Sequence, residues 1–241
     1  MAGLSARFAQ AGYTLPKYQL PLEGRSVFRH VVEGFAACFG EHPFLFVLRD
    51  VHGAAGFVRA ELAAIPGIRA EVVALSEPTQ GQAETVALGL EGARDVSSGP
   101  LVIFNIDTIR PRFALPPWAG DCDGFLEVFR GEGEHWSFVE PVAAGSSRVA
   151  RTTEKERISD LCCTGLYGFR SAELYLQYYR RAKAAGLTVR GELYVAPVYN
   201  LLIADGLDVR WYEIGDDDVR FCGTPAEYLA LGGLPPESEV G

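Results

Sequence analysis

The sequence predicts an α/β fold, a three-layer α/β/α sandwich around a mixed sheet, and three observations predict it. First, the runs PFLFVLR (43–49), AEVVAL (70–75) and PLVIFNI (100–106) are apolar and rich in branched and aromatic residues, as buried strands are. Second, amphipathic helical patterns precede and separate them, over about 24–39, 54–65 and 81–94. That βαβα alternation calls for parallel strands with helices on both faces. Third, the rhythm changes after about residue 120 into strand-like runs with short polar breaks, which marks an antiparallel addition to the sheet.

The later elements follow in order. GFLEVFR (124–130), WSFVEP (136–141), SRVART (147–152) and CTGLYGF (163–169) are the added strands. Helices over about 171–186 and 192–205 come next, separated by Gly186 and Gly191. The strand DVRWYEI (208–214) and a short helix near 225–231 end the fold, and the tail GGLPPESEVG has the composition of a frayed terminus. Without repeats or long linkers, residues 1–241 are expected to form a single domain.

Composition narrows the function. At 241 residues, with 48% hydrophobic and 22% charged residues, the chain can bury a full core as one α/β unit. A net charge of −9 argues against a nucleic-acid-binding surface, yet a few local cations can still hold a small anionic substrate. No apolar run reaches roughly 18 residues and no basic-then-apolar leader is visible, so a cytoplasmic chain with no membrane partner is expected. Five cysteines without CxxC spacing suggest neither a disulfide framework nor a zinc site. The four histidines show no paired ligand spacing.

The chemistry-bearing residues begin in the first turn. Gly3, Ser5 and Arg7 make a tight turn whose N–H groups suit an anion, Arg7 offers a planar fork for phosphate oxygens, and Lys17 after Pro16 offers a point charge. In VIFNIDTIRP, Asp107 closes an apolar run at what reads as the carboxyl end of a parallel strand, where ligands bind in open α/β sheets. The same aspartate could instead cap the following turn. Gly81 in SEPTQGQAETVALGL opens a helix and permits close backbone approach.

Together MAGLSARF…YTLPKYQLPL resembles the opening signature of the sugar-phosphate nucleotidyltransferases, the nucleotide-sugar pyrophosphorylases of the nucleotide-diphospho-sugar transferase superfamily. Gly3, Arg7, Pro16, Lys17 and Pro21 match; Ser5 and Ala6 stand where glycine and threonine are usual. The resemblance runs through nearly the whole chain and looks closest to the branch associated with capsule and surface-polysaccharide gene clusters. It implies a Rossmann-like, GT-A-like sheet. The family's loop follows a hydrophobic first strand that is missing here, and the expectation is that the sequence starts several residues late.

The resemblance also implies roles. Arg7, Lys17 and Asp107 would be catalytic, with Mg²⁺ held by Asp107. Ala2, Gly3, Leu4, Ser5, Gly81, Gln82 and Ala83 would bind the nucleotide. Glu154 and Lys155 of TTEKERIS, Thr164 and Gly165 of CCTGLYGF, and Glu192 of RGELYVAP would bind the acceptor. In FCGTP the sequence departs from the family: Phe221 stands where an aspartate often completes the metal site, with Asp216, Asp217 and Asp218 just upstream. The implied reaction joins a nucleoside triphosphate, a pyrimidine favoured, to a sugar 1-phosphate or another small phosphorylated acceptor and releases pyrophosphate. Two other readings stay open. One is a glycosyltransferase, although Asn105 occupies the first place of the usual D-x-D. The other is a nucleotide-binding module without turnover.

Overall fold

Branched and aromatic residues carry two of the predicted runs into strands. Pro43–Arg49 and Arg69–Leu75 pair in parallel, from Pro43 opposite Arg69 to Arg49 opposite Leu75. The helix Ala54–Ala63 supplies the crossover that a parallel pair requires. The computed structural model describes residues 5–94 and 99–236. They fall into two compact units: the segments up to Ser76, Asn105–Phe113 and from Asp217 form the first, and Glu77–Phe104 with Ala114–Asp216 form the second.

In the first unit, helix Val27–Glu33 starts at Ser26, whose hydroxyl accepts the Arg29 N–H at 3.1 Å. Its Phe28 and Val32 join Leu48, Ala54, Val58 and Leu62 in one apolar core. The Phe28 ring meets Phe46 at 5.4 Å and Phe57 at 6.0 Å. Arg29 Nε donates to Glu61 at 2.8 Å and ties this helix to the crossover helix. The pattern extends the first helix to about residue 39, but it ends at Gly34, a poor helix former, and a 3₁₀ turn Ala36–Cys38 follows. The helix Pro225–Ala230 closes this unit behind a Thr224–Glu227 capping box.

The run 100–106 is shorter as a strand than expected. Only Leu101–Ile103 is extended, and it pairs antiparallel with Leu161–Phe169, not parallel to a neighbour. Asn105 and Asp107 are poor strand residues with side chains that compete for backbone partners, so the run breaks there. Thr108–Ile109 then pair antiparallel with Arg220–Phe221 in the first unit.

The second unit holds a six-stranded mixed sheet. Its order is Val209–Glu213, Gly124–Arg130, Leu161–Phe169, Ser137–Pro141, Val149–Glu154, with Leu101–Ile103 also on Leu161–Phe169. Only Val209–Glu213 runs parallel to its partner; Gly124–Arg130, Ser137–Pro141, Val149–Glu154 and Leu161–Phe169 form the antiparallel addition that the sequence predicts, and Leu101–Ile103 joins it against expectation. All nine residues of Leu161–Phe169 are buried, the expected fate of a strand paired on both edges. Helices Gln82–Gly92 and Ala172–Ala184 are joined by Lys183 on Glu84 at 2.6 Å and by the Tyr175 hydroxyl on the Ala83 carbonyl at 2.6 Å.

The helix expected over 192–205 begins later, as a 3₁₀ turn Ala196–Val198 and the helix Tyr199–Ala204. Arg190 and Gly191 are both left-handed and close a tight turn, with Val189 and Glu192 exchanging backbone hydrogen bonds at 2.9 and 3.0 Å. Glu192 therefore lies on a turn, not at a helix start. Among the described residues no helix is long and apolar enough to cross a membrane.

Candidate active site

The first unit brings Ser5, Lys17 and Asp107 together. Ser5, itself left-handed, leads into the helix Ala6–Gln10, which buries Phe8 and leaves Arg7 exposed. Phe8 is held by edge contacts to Tyr13 and Tyr228. The Ser5 hydroxyl accepts the Lys17 backbone N–H at 3.2 Å, which sets the start of the 3₁₀ turn Lys17–Gln19. From there the Lys17 ammonium reaches Asp107 Oδ2 at 2.5 Å, both side chains about a quarter exposed (24% and 22%). Ala2, Gly3 and Leu4 lie outside the described residues.

Asp107 is fixed from its backbone as well, because its carbonyl accepts the Cys222 N–H at 2.8 Å. This brings segment 221–224 against the carboxylate. A β-carbon at Gly223 would lie 3.1 Å from Asp107 Oδ2 and 3.5 Å from Glu227 Oε2, so glycine keeps that approach open. Glu227 Oε2 accepts the N–H groups of Gly223 at 2.9 Å and Thr224 at 2.8 Å. Phe221 pairs with Thr108. Burial, with the nearby Asp107 and Glu227 charges, pushes the Cys222 thiol up to about 12, so it stays protonated at neutral pH. Asp218 engages arginines instead, its carbonyl accepting from Arg110 and its carboxylate facing Arg112 at 3.5 Å.

The second unit gathers the proposed acceptor residues Glu154, Lys155 and Glu192. Glu154 is buried at the end of its strand, opposite Ser137, whose hydroxyl donates to it; the Tyr167 hydroxyl lies 3.3 Å from Ser137. Burial raises the Glu154 carboxyl above its ordinary range, against the pull of Ser137 and Lys155. Lys155 has left-handed backbone geometry, and its ammonium sits 3.8 Å from Glu154 Oε1. It also reaches the Tyr194 hydroxyl and lies 4.2 Å from that ring's centre. The Tyr194 hydroxyl donates in turn to Glu192.

Other predicted residues have neighbours that the sequence does not show. Gly81, at φ +128°, presses against the Leu193 backbone, where a β-carbon would stand 2.4 Å from the Leu193 carbonyl oxygen. Ala83 donates to that carbonyl at 3.0 Å, and Leu193 donates to Gln80 at 2.6 Å. Segment 80–83, with Gln82 half-buried, is thus clamped to the residue between Glu192 and Tyr194. The Thr164 hydroxyl is buried and donates to the fully buried Glu127 at 2.8 Å, and Gly165 sits within a bulge at φ +94°. Sequence reasoning missed Tyr194, Ser137, Glu127 and Gly223. Tyr194 stands two places beyond Glu192, a spacing that could have marked it; Ser137 emerges only from the strand register.

No family model and no curated protein matches the chain. Solved structures do. The chain aligns with an inositol-1-phosphate CTP transferase from T. maritima at 16% identity, TM-score 0.71, over 96% of this chain and 92% of the other. A putative glucose-1-phosphate thymidylyltransferase from Bacillus anthracis gives 16% identity and TM-score 0.72, over 100% and 94%. At such identities these two speak for the fold alone, a mixed α/β nucleotidyltransferase fold of GT-A-like type with a central mixed sheet. The nucleoside-diphosphate-sugar pyrophosphorylase from Vibrio cholerae RC9 is 47% identical, with TM-score 0.91, over 96% of this chain and 97% of its own. At that identity and coverage, the chain belongs to the nucleotide-sugar pyrophosphorylase family of nucleotidyltransferases.

Proposed function

We propose that the chain joins a nucleoside triphosphate, a pyrimidine favoured, to a sugar 1-phosphate or other small phosphorylated acceptor, releasing pyrophosphate. The observation that carries the reading is the Lys17–Asp107 pair at 2.5 Å, a carboxylate and ammonium about a quarter exposed, with the backbone of each tied by a hydrogen bond. An acceptor phosphate oxygen attacks the α-phosphorus; the new P–O bond forms as the bond to the β-phosphate oxygen breaks, and pyrophosphate leaves with that electron pair. The protein needs no nucleophile of its own, only positioned charge. Lys17 stabilises the charge at the α-phosphorus, Arg7 the departing pyrophosphate, and Lys155 the acceptor phosphate. Ser5 with Ala2, Gly3 and Leu4, and Gly81 with Gln82 and Ala83, hold the nucleotide. Glu154, Glu192, Thr164 and Gly165 shape the acceptor side.

Asp107 suits Mg²⁺, as its seated ammonium shows that Oδ2 accepts a cation. Among the described residues no group of three or more His, Cys, Asp and Glu could hold a metal. One carboxylate matches an ion that takes its other ligands from water and substrate phosphates. Bound there, Mg²⁺ would neutralise charge on the phosphate oxygens. We place the activity in the cytoplasm, in both units as one functional domain, supplying a precursor of capsule or surface polysaccharide. The test is pyrophosphate release with Mg²⁺ from each triphosphate in turn against a pool of phosphorylated acceptors. Release that needs one triphosphate, an acceptor and Asp107 supports the reading; release that Asp107→Ala leaves unchanged overturns it.

A further inference from the structure

We infer that Lys17 is a resident counter-ion for Asp107 that keeps the divalent cation out until a triphosphate arrives, so that metal affinity depends on nucleotide. The inference rests on the proposed reaction and deepens it at the same carboxylate.

Three features of the first unit carry it. The Lys17 ammonium sits 2.5 Å from Oδ2, already neutralising the carboxylate a metal would take. Ser5 accepts the Lys17 N–H, which fixes the base of the lysine's stem. Among the described residues no cluster of three or more His, Cys, Asp and Glu backs Asp107 against the ammonium. Glu227 commits Oε2 to the N–H groups of Gly223 and Thr224, and the Phe221 side chain carries no oxygen. A divalent ion arriving alone must therefore displace a paired ammonium for the sake of one carboxylate.

A triphosphate changes both sides of that competition. Its phosphate oxygens offer Lys17 a stronger partner than a single carboxylate, and they supply the metal with further ligands. The ammonium moves to phosphate, and Oδ2 is released as the metal comes to need it. Gly223 leaves room beside Oδ2 for this exchange, since a β-carbon there would stand only 3.1 Å from that oxygen. By linkage, the factor by which triphosphate tightens metal binding equals the factor by which metal tightens triphosphate binding.

The test measures Mn²⁺ binding to the full chain without nucleotide, from the free-ion electron paramagnetic resonance signal. Lys17→Gln should bind Mn²⁺ on the order of tenfold more tightly than the native chain, within the usual range of coupling factors. Lys17→Arg, which keeps the charge, should stay as weak as the native chain, and Asp107→Asn should abolish the gain in a double variant. Lys17→Met serves if the glutamine variant does not fold. Equal Mn²⁺ affinity in the native, Gln and Met chains overturns the inference, as does a gain in Lys17→Arg equal to that in Lys17→Gln. Pyrophosphate release by the native chain is assayed in parallel. Release together with unchanged Mn²⁺ affinities sinks the counter-ion role alone, whereas absence of release with every triphosphate and acceptor counts against the reaction.

Discussion

The Lys155 ammonium lies 4.2 Å from the centre of the Tyr194 ring and bonds that tyrosine's hydroxyl, which itself donates to Glu192. The lysine is thus held by a ring face and by an oxygen at once. A cation over an aromatic face contributes about 0.5–2 kcal/mol, and a hydrogen bond to a charged group about 1.5–3 kcal/mol. Tyr194→Phe keeps the ring and should raise the acceptor KM about threefold to tenfold. Tyr194→Ala should raise it further. The KM for the triphosphate should stay unchanged in both, which steady-state kinetics with each substrate varied in turn will check. Equal effects on the two KM values would remove Tyr194 from the acceptor side.

Gly223→Ala tests how closely Asp107 is surrounded. The added methyl would stand 3.1 Å from Oδ2 and 3.5 Å from Glu227 Oε2, tighter than ordinary contact for the first. The carboxylate must move, and displacement of about 1 Å at a reacting centre can cost roughly 100-fold. We expect kcat/KM to fall between about tenfold and 100-fold. The melting temperature should change little, because the methyl meets partly exposed carboxylates that can shift. A kcat/KM within twofold of native would show that Asp107 has slack.

Most elements were legible because their burial is periodic. PFLFVLR became the strand Pro43–Arg49 without change, since nothing polar interrupts it. PLVIFNI failed as one strand because its apolar count hides Asn105, and because antiparallel pairing with Leu161–Phe169 is a tertiary fact. The helix 192–205 failed at its start for a similar reason. Glu192 looks like a helix-opening acid, yet consecutive left-handed residues at Arg190 and Gly191 make the turn that places it beside Tyr194. At the site, residue types pointed to Lys17 and Asp107, but their direct pairing spans a sequence separation that no local pattern encodes. Glu227 draws no notice in the sequence, and its hydrogen bonds to Gly223 and Thr224 show it to be part of a helix cap.

Glu154 carries a pH-dependent cost. Burial, the largest influence, raises its pKa, Glu192 adds to the rise, and Ser137 and Lys155 oppose it. Between the ordinary glutamate pKa of about 4.3 and the raised folded value, the folded chain binds more protons than the unfolded one. The contribution to stability is therefore full below about pH 4 and is lost as pH rises through the folded pKa. Glu154→Gln cannot ionise and should escape that loss. Its melting temperature relative to native should be higher at about pH 8 than at about pH 4, while its acceptor KM rises. A melting difference independent of pH would contradict this account.

Gly81 and Gly186 separate backbone strain from contact. Both have positive φ, +128° and +64°. At Gly186 a β-carbon meets nothing within 4 Å, whereas at Gly81 it would stand 2.4 Å from the Leu193 oxygen and 2.7 Å from its nitrogen. Gly186→Ala should therefore cost about 1 kcal/mol, the strain of an unfavourable φ alone. Gly81→Ala must also part the backbone bonds from Ala83 to Leu193 and from Leu193 to Gln80, and should cost about 2–3 kcal/mol in urea unfolding. Because that clamp joins segment 80–83 to the residue between Glu192 and Tyr194, the surviving folded protein should show raised KM for triphosphate and acceptor together. Gly186→Ala should raise neither. If the two alanines cost the same, the Leu193 contact yields without consequence, and the two segments are set independently.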